Sequence, residues 1–458
     1  MAASLTRAYA HFVAQNRSGP LPAVAVEVAR LGFTDAVAAL LAGSREPVTR
    51  VAGKAVAARH AVQESRALLG GPASSADLTA MIDACAAHAL DIDDYAFANH
   101  PSAVLVPVAL ACGQAARADG AALVSAYVAG YEVWADLMSR EPDHLHSRGW
   151  HPTALFGAIG AAASAASLLG LGEDETRNAL GLAASHAGGT MGNFGSMAKA
   201  YHAGKAAQAG VFCALLAQAG MTATEDVIEG ERGLLRTLSP QGRVDVQSEP
   251  ELGAYRRIAN LRLNIKKYPT VGASQRIIDS VLEYLQDHTV DVEALARIEP
   301  RVSEKHAAVM PFHSPSKPEE AKFSLEYATA CALLHGRVGL AELSTAAVAD
   351  PRLQSLIQRV QVVTTTDYDP DYPVAARFDQ VTLVDVEGRS VVTPPVKRAS
   401  GHADRPLTAR QLRDKFLDCA AYGGINAAPA SGLFDRLQAL PGWSFADLAW
   451  VTSGGWRE

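Results

Sequence analysis

Residues 153–171, TALFGAIGAAASAASLLGL, run for nineteen positions without a charge. A run of that length either crosses a bilayer or must be enclosed by other elements. Its composition favours enclosure. Ala, Gly and Ser dominate, Leu, Ile and Phe are few, and transfer to lipid would gain little per residue. No Lys/Arg cluster or aromatic belt stands on both flanks. A buried, tightly packed helix is expected, with no membrane as partner. The first twenty residues lack a cationic region followed by an apolar one, so no signal peptide is indicated. The expected compartment is the cytoplasm.

The rest of the chain repeats the same theme. Hydrophobic residues make up 49% of its 458 residues, enough for a sizeable core, while aromatics are only 6%. Length suggests material for two or three domains. Net charge is −7 and no basic run exists, so nucleic acid is not an expected partner. The five cysteines are scattered and form no CxxC pair. They read as small apolar residues in a reducing compartment.

Helical periodicity recurs over 21–44, 75–90, 121–138, 153–170, 173–186 and 198–220. Pro101 opens another apolar helix, at a position that tolerates proline. Val124, Tyr127, Val128, Tyr131, Trp134 and Met138 share one stripe of the 121–138 helix and read as core. Beyond about 235 the pattern changes. IANLRLNIK (258–266), LARIEPRVSE, RLQSLIQRVQVVTTTD and FDQVTLVDVEGRSVVTPPVK carry strand signals, the last with a turn at Gly388. Residues 272–287 return to helix, as do 405–422, with Thr408 as N-cap and Gln411 completing a capping box. The predicted fold class is mainly α: a large all-α domain over 1–264, completed by 402–458, and a smaller α+β domain over 265–401.

The polar residues offer several chemistries. GGTMGNFG (188–195) is glycine-rich, but GxxxxGK[ST] and strand-borne GxGxxG patterns are both absent. Those glycines are better read as permitting close backbone approach. His144, His146 and His151, with Asp91, Asp93 and Asp94, invite a metal reading, yet their spacing matches no compact zinc pattern. A mixed site from distant segments stays open. The third reading is cofactor-free acid/base chemistry. DIDDYAFANHPS, RGWHPT, GSMAKAYHAGKAA and NIKKYPT each bring acids, histidines or lysines into apolar surroundings. Two are His-Pro pairs opening apolar helices, where the positive helix end favours anions. Proton abstraction beside a carboxylate needs a base and positive charge for the developing enolate. Taken singly, each has a plainer reading: His-Pro as a cap, Asp93 and Asp94 as solvated or capping groups, Lys199 and Lys266 as surface lysines.

Those four segments, in this order, resemble the MmgE/PrpD family, which includes 2-methylcitrate dehydratases, cis-aconitate decarboxylases and iminodisuccinate epimerases. The likeness extends to EEAKFSLEYATACALLHG and SGHADRPLTARQLRDKF and so covers nearly the whole chain. It implies an all-α body with a smaller α+β lid, a homodimer, a site between body and lid, and no metal or organic cofactor. By the same resemblance, Asp91, His100, His151 and Lys199 are catalytic, and Tyr95, Lys266, Lys267 and Gln275 bind substrate. His100 and His151 are the proton-transfer groups, Asp91 orients them, and Lys199 and Lys266 meet carboxylates. Which histidine is base and which acid stays open.

Two departures bear on the substrate. Tyr95 stands where the dehydratase and decarboxylase pattern has Thr. Gln275 stands where the fourth segment usually has His. The Asp-to-His spacing of the first segment is also one residue shorter than in decarboxylase-like members. The expected reaction is that of a hydro-lyase on a small di- or tricarboxylate. Epimerisation of an amino- or imino-dicarboxylate is the close alternative and decarboxylation the third. A metal-dependent hydrolase and a non-catalytic carboxylate-binding relative are the readings from other classes.

Overall fold

The computed structural model describes residues 4–457 except 18, 58–61, 69, 71, 72, 144 and 240. His144, one of the histidines weighed for a metal, therefore lies outside the described residues. The protein is mainly α, with its strands confined to the C-terminal half. It divides into two compact units. The larger comprises Met1–Ala89, Asp93–Leu263 and Arg413–Glu458; the smaller comprises Leu90–Ile92 and Asn264–Leu412.

Nine helices build most of the larger unit: α1 (Leu5–Gln15), α2 (Ala23–Gly43), α3 (Pro47–Ala57), α4 (Ala76–Ala87), α5 (Pro101–Ala116), α6 (Gly120–Ser139), α7 (Pro152–Leu169), α8 (Glu173–Ala184) and α9 (Met197–Gln218). The uncharged run is α7. His151 is its N-cap, Pro152 sits in the first turn, and Gly170 ends it in the left-handed region at φ 72°. It is 89% buried inside the protein, against α5, α6 and α9. The Tyr127, Tyr131 and Trp134 stripe is fully buried core, as its spacing suggests. All five cysteines, Cys419 included, are buried and free.

Small residues set how closely these helices approach. A Cβ on Gly204 of α9 would run into Cys85 Sγ and stand 2.8 Å from Met81 O, so α9 lies directly on the backbone of α4. Gly189, in the glycine-rich link before α9, leaves room for Ala154 and the His202 ring. That is the close approach expected of GGTMGNFG.

One expected strand is a helix instead. Residues Arg256–Leu261, in the run read as extended from 258, are helical. The buried Glu132 carboxylate of α6 accepts the Ile258 N–H at 2.7 Å and so satisfies a helix-start donor. That partner is remote in sequence, so the local pattern could not reveal it.

The smaller unit is α+β. Its sheet comprises β1 (Leu295–Ser303), β2 (Val363–Thr365), β5 (Gln380–Asp385) and β6 (Ser390–Val392), in the order β2-β1-β5-β6; β3 (Tyr368–Asp369) and β4 (Tyr372–Ala376) form a separate pair. β1 runs parallel to β2 and antiparallel to β5, and β5–β6 is the hairpin expected at Gly388, which sits at φ 81°. Helices Gln275–Asp287 and Leu325–His335 share its core with Ile298, Val302 and Leu383. Within the 352–367 segment read as a strand, only β2 is extended. Pro351–Ile357 is a helix, because Asp350 caps the Arg352 N–H at 2.8 Å and Pro351 opens its first turn. The helix expected from 405 starts at Ala409, behind the Thr408–Gln411 capping box.

The larger unit buries an isolated acid. Asp83 of α4 accepts one hydrogen bond, from Leu68 N at 3.1 Å, and burial pushes its carboxyl up to about 7. Unfolded, an Asp releases its proton near about 3.9. Between those values the native chain holds a proton that the unfolded chain has lost. The stability Asp83 contributes therefore falls as pH rises and levels off above about 7. Asp83→Asn keeps the acceptor and cannot ionise. Relative to the parent it should gain about 2 kcal/mol of stability between about pH 5 and about pH 8 in urea titrations. An unchanged difference would contradict the assignment.

Candidate active site

Four helix ends of the larger unit bring the polar segments together. His88 is the C-cap of α4, His100 the N-cap of α5 and His151 the N-cap of α7, while Lys199 and His202 lie in the first turns of α9. Residues 199 and 202 are three apart, hence on one helical face. The ring centroids of His88 and His100 are 4.4 Å apart, those of His88 and His151 5.9 Å, and those of His151 and His202 5.3 Å.

Asp93 organises the first half of this cluster. Its Oδ2 lies 2.9 Å from Nδ1 of His88 and 2.9 Å from Nδ1 of His100. His100 Nδ1 is also 3.0 Å from the Asp94 carbonyl. Both partners of that nitrogen are acceptors, so Nδ1 carries the proton and the basic lone pair of neutral His100 lies on Nε2. On the other side His88 Nε2 is 3.0 Å from Lys199 Nζ. In the second half, His151 Nδ1 meets His202 Nδ1 at 3.0 Å, and the His151 N–H donates to Gly189 O at 3.0 Å. Phe194 packs its ring edge-on against His151 and offers its face to Lys199 at 5.5 Å.

Electrostatics follow from burial. His88 is pushed down to about 3, by burial first, with Asp93 opposing and Lys199 adding to the drop. Burial and then Lys199 hold His151 well below the usual histidine range, and the same causes bring His202 to about 4. Burial pushes the Asp93 carboxyl up, but the two imidazoles outweigh it and hold it well below the usual carboxylate range. At neutral pH the cluster therefore holds an ionised Asp93 beside neutral His88, His151 and His202. Asp94, behind it, is raised well above the carboxylate range by burial and by Asp35.

The connecting loop is strained. Asp91, Phe97 and Ala98 take φ 56°, 40° and 58°, a region L-residues rarely adopt. The pair Ala96–Asn99 closes the turn through reciprocal backbone bonds of 3.0 and 2.8 Å.

The expected residues divide between the units. His100, His151 and Lys199 meet in the larger unit, with Tyr95 half-buried on the same loop. In the smaller unit Lys266 Nζ donates to Asp91 O at 2.8 Å and lies 3.0 Å from Asp91 Oδ2, both side chains buried. Lys267 is half-buried, 3.8 Å from Asp279. Gln275, expected at substrate, is engaged with its own loop. Its Oε1 accepts from Lys267 N and Tyr268 N, and its Nε2 donates to Tyr268 O and to both oxygens of Thr270.

Asp93 is a correction: neither solvated nor a helix cap, it is fully buried between two histidines. His88 and His202 were given no role from the sequence. A usable signal existed for both. His88 closes a helix five residues before Asp93, and His202 follows Lys199 by one turn.

Among the histidines weighed for a metal, His151 does join a close group, with His88 and His100, whose nitrogens lie within 4.8 Å of one another. Two of those rings already face Asp93, and the Lys199 ammonium holds the position against His88 Nε2. That donor set suits an ion-paired proton network better than a cation cage.

Sequence comparison agrees with the geometry. The profile of the MmgE/PrpD N-terminal domain matches residues 7–247, and that of the C-terminal domain matches 268–428. The chain belongs to the MmgE/PrpD family. Its relatives in that family include the Homo sapiens cis-aconitate decarboxylase, 28% identical over 74% of this chain and 71% of the relative. The Aspergillus oryzae cis-aconitate decarboxylase-like protein oryM is 27% identical over 91% of each chain. The Aspergillus terreus cis-aconitate decarboxylase is 23% identical over 80% of each.

Proposed function

We propose that this MmgE/PrpD protein is a lyase acting on a small di- or tricarboxylate, without metal or organic cofactor, by moving a proton at a carbon next to a carboxylate. One observation carries the reading: Asp93 holds His100 with its basic lone pair on Nε2, inside a buried cluster that also contains His151 and the Lys199 ammonium. An oriented imidazole abstracts the proton. The Lys199 cation and the N-terminal ends of α5 and α7 stabilise the negative charge that develops on the carboxylate. His151, neutral and backed by His202, is the second imidazole able to take up a proton.

In dehydration the C–H electrons form the double bond, His100 takes the proton as an imidazolium, and hydroxide leaves as water with a proton returned from that imidazolium. In decarboxylation the C–CO₂ bond breaks, its electrons pass to carbon, and one of these histidines supplies the proton. Water loss is the reaction that the family resemblance implies, and the relatives' names favour carbon dioxide loss. Product analysis over a panel of citrate-like, aconitate-like and amino-dicarboxylate compounds separates the two. Epimerisation is a second reading, favoured by Gln275, whose amide is held by its own loop and adds no cation for a third carboxylate. A homodimer, implied by the same resemblance, and a cytoplasmic location, expected from the scattered, unpaired cysteines, are part of the proposal; light scattering tests the first.

Lys199→Ala and His151→Ala should each reduce turnover by roughly 10³-fold with melting behaviour close to the parent. Full activity in both variants would remove the assignment.

A further inference from the structure

We propose that His88 is a positioning residue that holds the Lys199 ammonium for a substrate carboxylate, with Asp93 behind it fixing which ring nitrogen accepts. It rests on the lyase reading for the group that Lys199 meets. The contacts run in series: Asp93 Oδ2 to His88 Nδ1 at 2.9 Å, then His88 Nε2 to Lys199 Nζ at 3.0 Å. A carboxylate only accepts and an ammonium only donates, so the ring between them has one possible tautomer. Nδ1–H donates to Asp93 and the Nε2 lone pair accepts from Lys199.

An ammonium on a four-carbon stem has no directional preference of its own, and it loses charge readily when buried. Lys199 is 6% exposed and His88 1%. The neutral ring, polarised by the carboxylate behind it, supplies both the direction and the negative potential that keep the amine protonated. Among the described residues of the larger unit, His151 at the start of α7, His202 on the same helix as Lys199 and His100 beyond Asp93 also titrate in this cluster. As imidazoles they add no negative charge, and Asp93, acting through His88, supplies one. His88 so far down in pH stays neutral throughout the working range and keeps accepting.

The test follows Lys199 directly. Protein labelled with ¹⁵N at lysine Nζ is titrated by NMR, the Lys199 signal being assigned through Lys199→Arg. His88→Asn retains a donor toward Asp93 and removes the acceptor toward Lys199. It should lower the Lys199 midpoint by about one pH unit. His88→Gln carries an oxygen close to the position of Nε2 and should restore the midpoint. Asp93→Asn, nearly isosteric, should lower it as well. In kinetics, His88→Asn should raise KM about tenfold with a smaller change in kcat, and His88→Gln should recover most of it. A residue that only fills space would leave all midpoints equal, and that result overturns the proposal. If His88→Asn does not fold, the Lys199 midpoint in Asp93→Asn against the parent decides: a lower midpoint supports the coupling and an equal one overturns it. The titration uses no substrate. A protein silent toward every carboxylate, with the midpoints shifting as stated, would remove the lyase reading and leave the His88–Lys199 coupling in place.

Discussion

Asp93→Asn should lower kcat/KM roughly 10³-fold or more while leaving the fold intact. The replacement changes one oxygen to an amide nitrogen, so packing is conserved. What disappears is the charge facing two Nδ1–H groups at 2.9 Å. Without it, the His88 ring loses its carboxylate acceptor, His100 Nδ1–H keeps the Asp94 carbonyl but not the carboxylate, and an imidazolium formed at His100 loses the Asp93 charge that stabilises it. Steady-state kinetics beside circular dichroism and thermal melting check this. A loss below about tenfold in a folded variant would mean that the Asp93–His100 pair does not carry the proton.

The largest stability effect is expected at the other end of the same acidic line. Lys415 Nζ pairs with Asp35 in the larger unit, both side chains buried. Asp35 in turn raises Asp94, which sits behind the histidines. Lys415→Met leaves Asp35 buried without its cation and should destabilise the protein by about 3–5 kcal/mol near neutral pH. Asp35 is itself pushed up, by burial first. The penalty should therefore shrink as pH falls and the orphaned carboxyl takes up a proton. The double variant Asp35→Asn with Lys415→Met should recover most of the loss, because removing both members of a buried pair is far less disruptive than removing one. Chemical denaturation at two pH values measures all three. A loss under about 1 kcal/mol for the single variant would contradict the buried pairing.

The helical body was legible because its signals are local. Proline in the first turn of α5 and of α7, glycine after α7 and a 3.6-residue apolar period need no tertiary information. Two of the errors, unlike the locally capped helix at Pro351–Ile357, have one cause. Residues Arg256–Leu261 are helical through a remote glutamate, and Asp93 is a site group through two histidines whose closeness depends on how α4 and α5 end. Sequence spacing alone left Asp93 as a cap, since an acid between helices is usually one. His100, His151 and Lys199 could be named because their segments occur together, in an order that resembles the family, although each alone has a plainer reading. His88 and His202 were not, for their spacing to Asp93 and Lys199 was a signal that the ordinary explanation of a histidine on an apolar helix hid until the partners were seen. Gln275 shows the converse. It was named as a substrate contact by its position in a motif, and its hydrogen bonds instead hold the loop of residues 267–270.

The central claim is that this cluster moves a proton at a carbon beside a carboxylate. Incubation of the parent and Asp93→Asn in deuterated water with the carboxylate panel, followed by NMR and mass spectrometry, addresses it most directly. The account predicts that at least one compound exchanges that hydrogen for deuterium or is converted with loss of water or carbon dioxide. It also predicts that the rate falls about 10³-fold in Asp93→Asn and is indifferent to chelator. Folded parent protein that neither exchanges nor converts any member of the panel, or that does so only with an added metal ion, would contradict it.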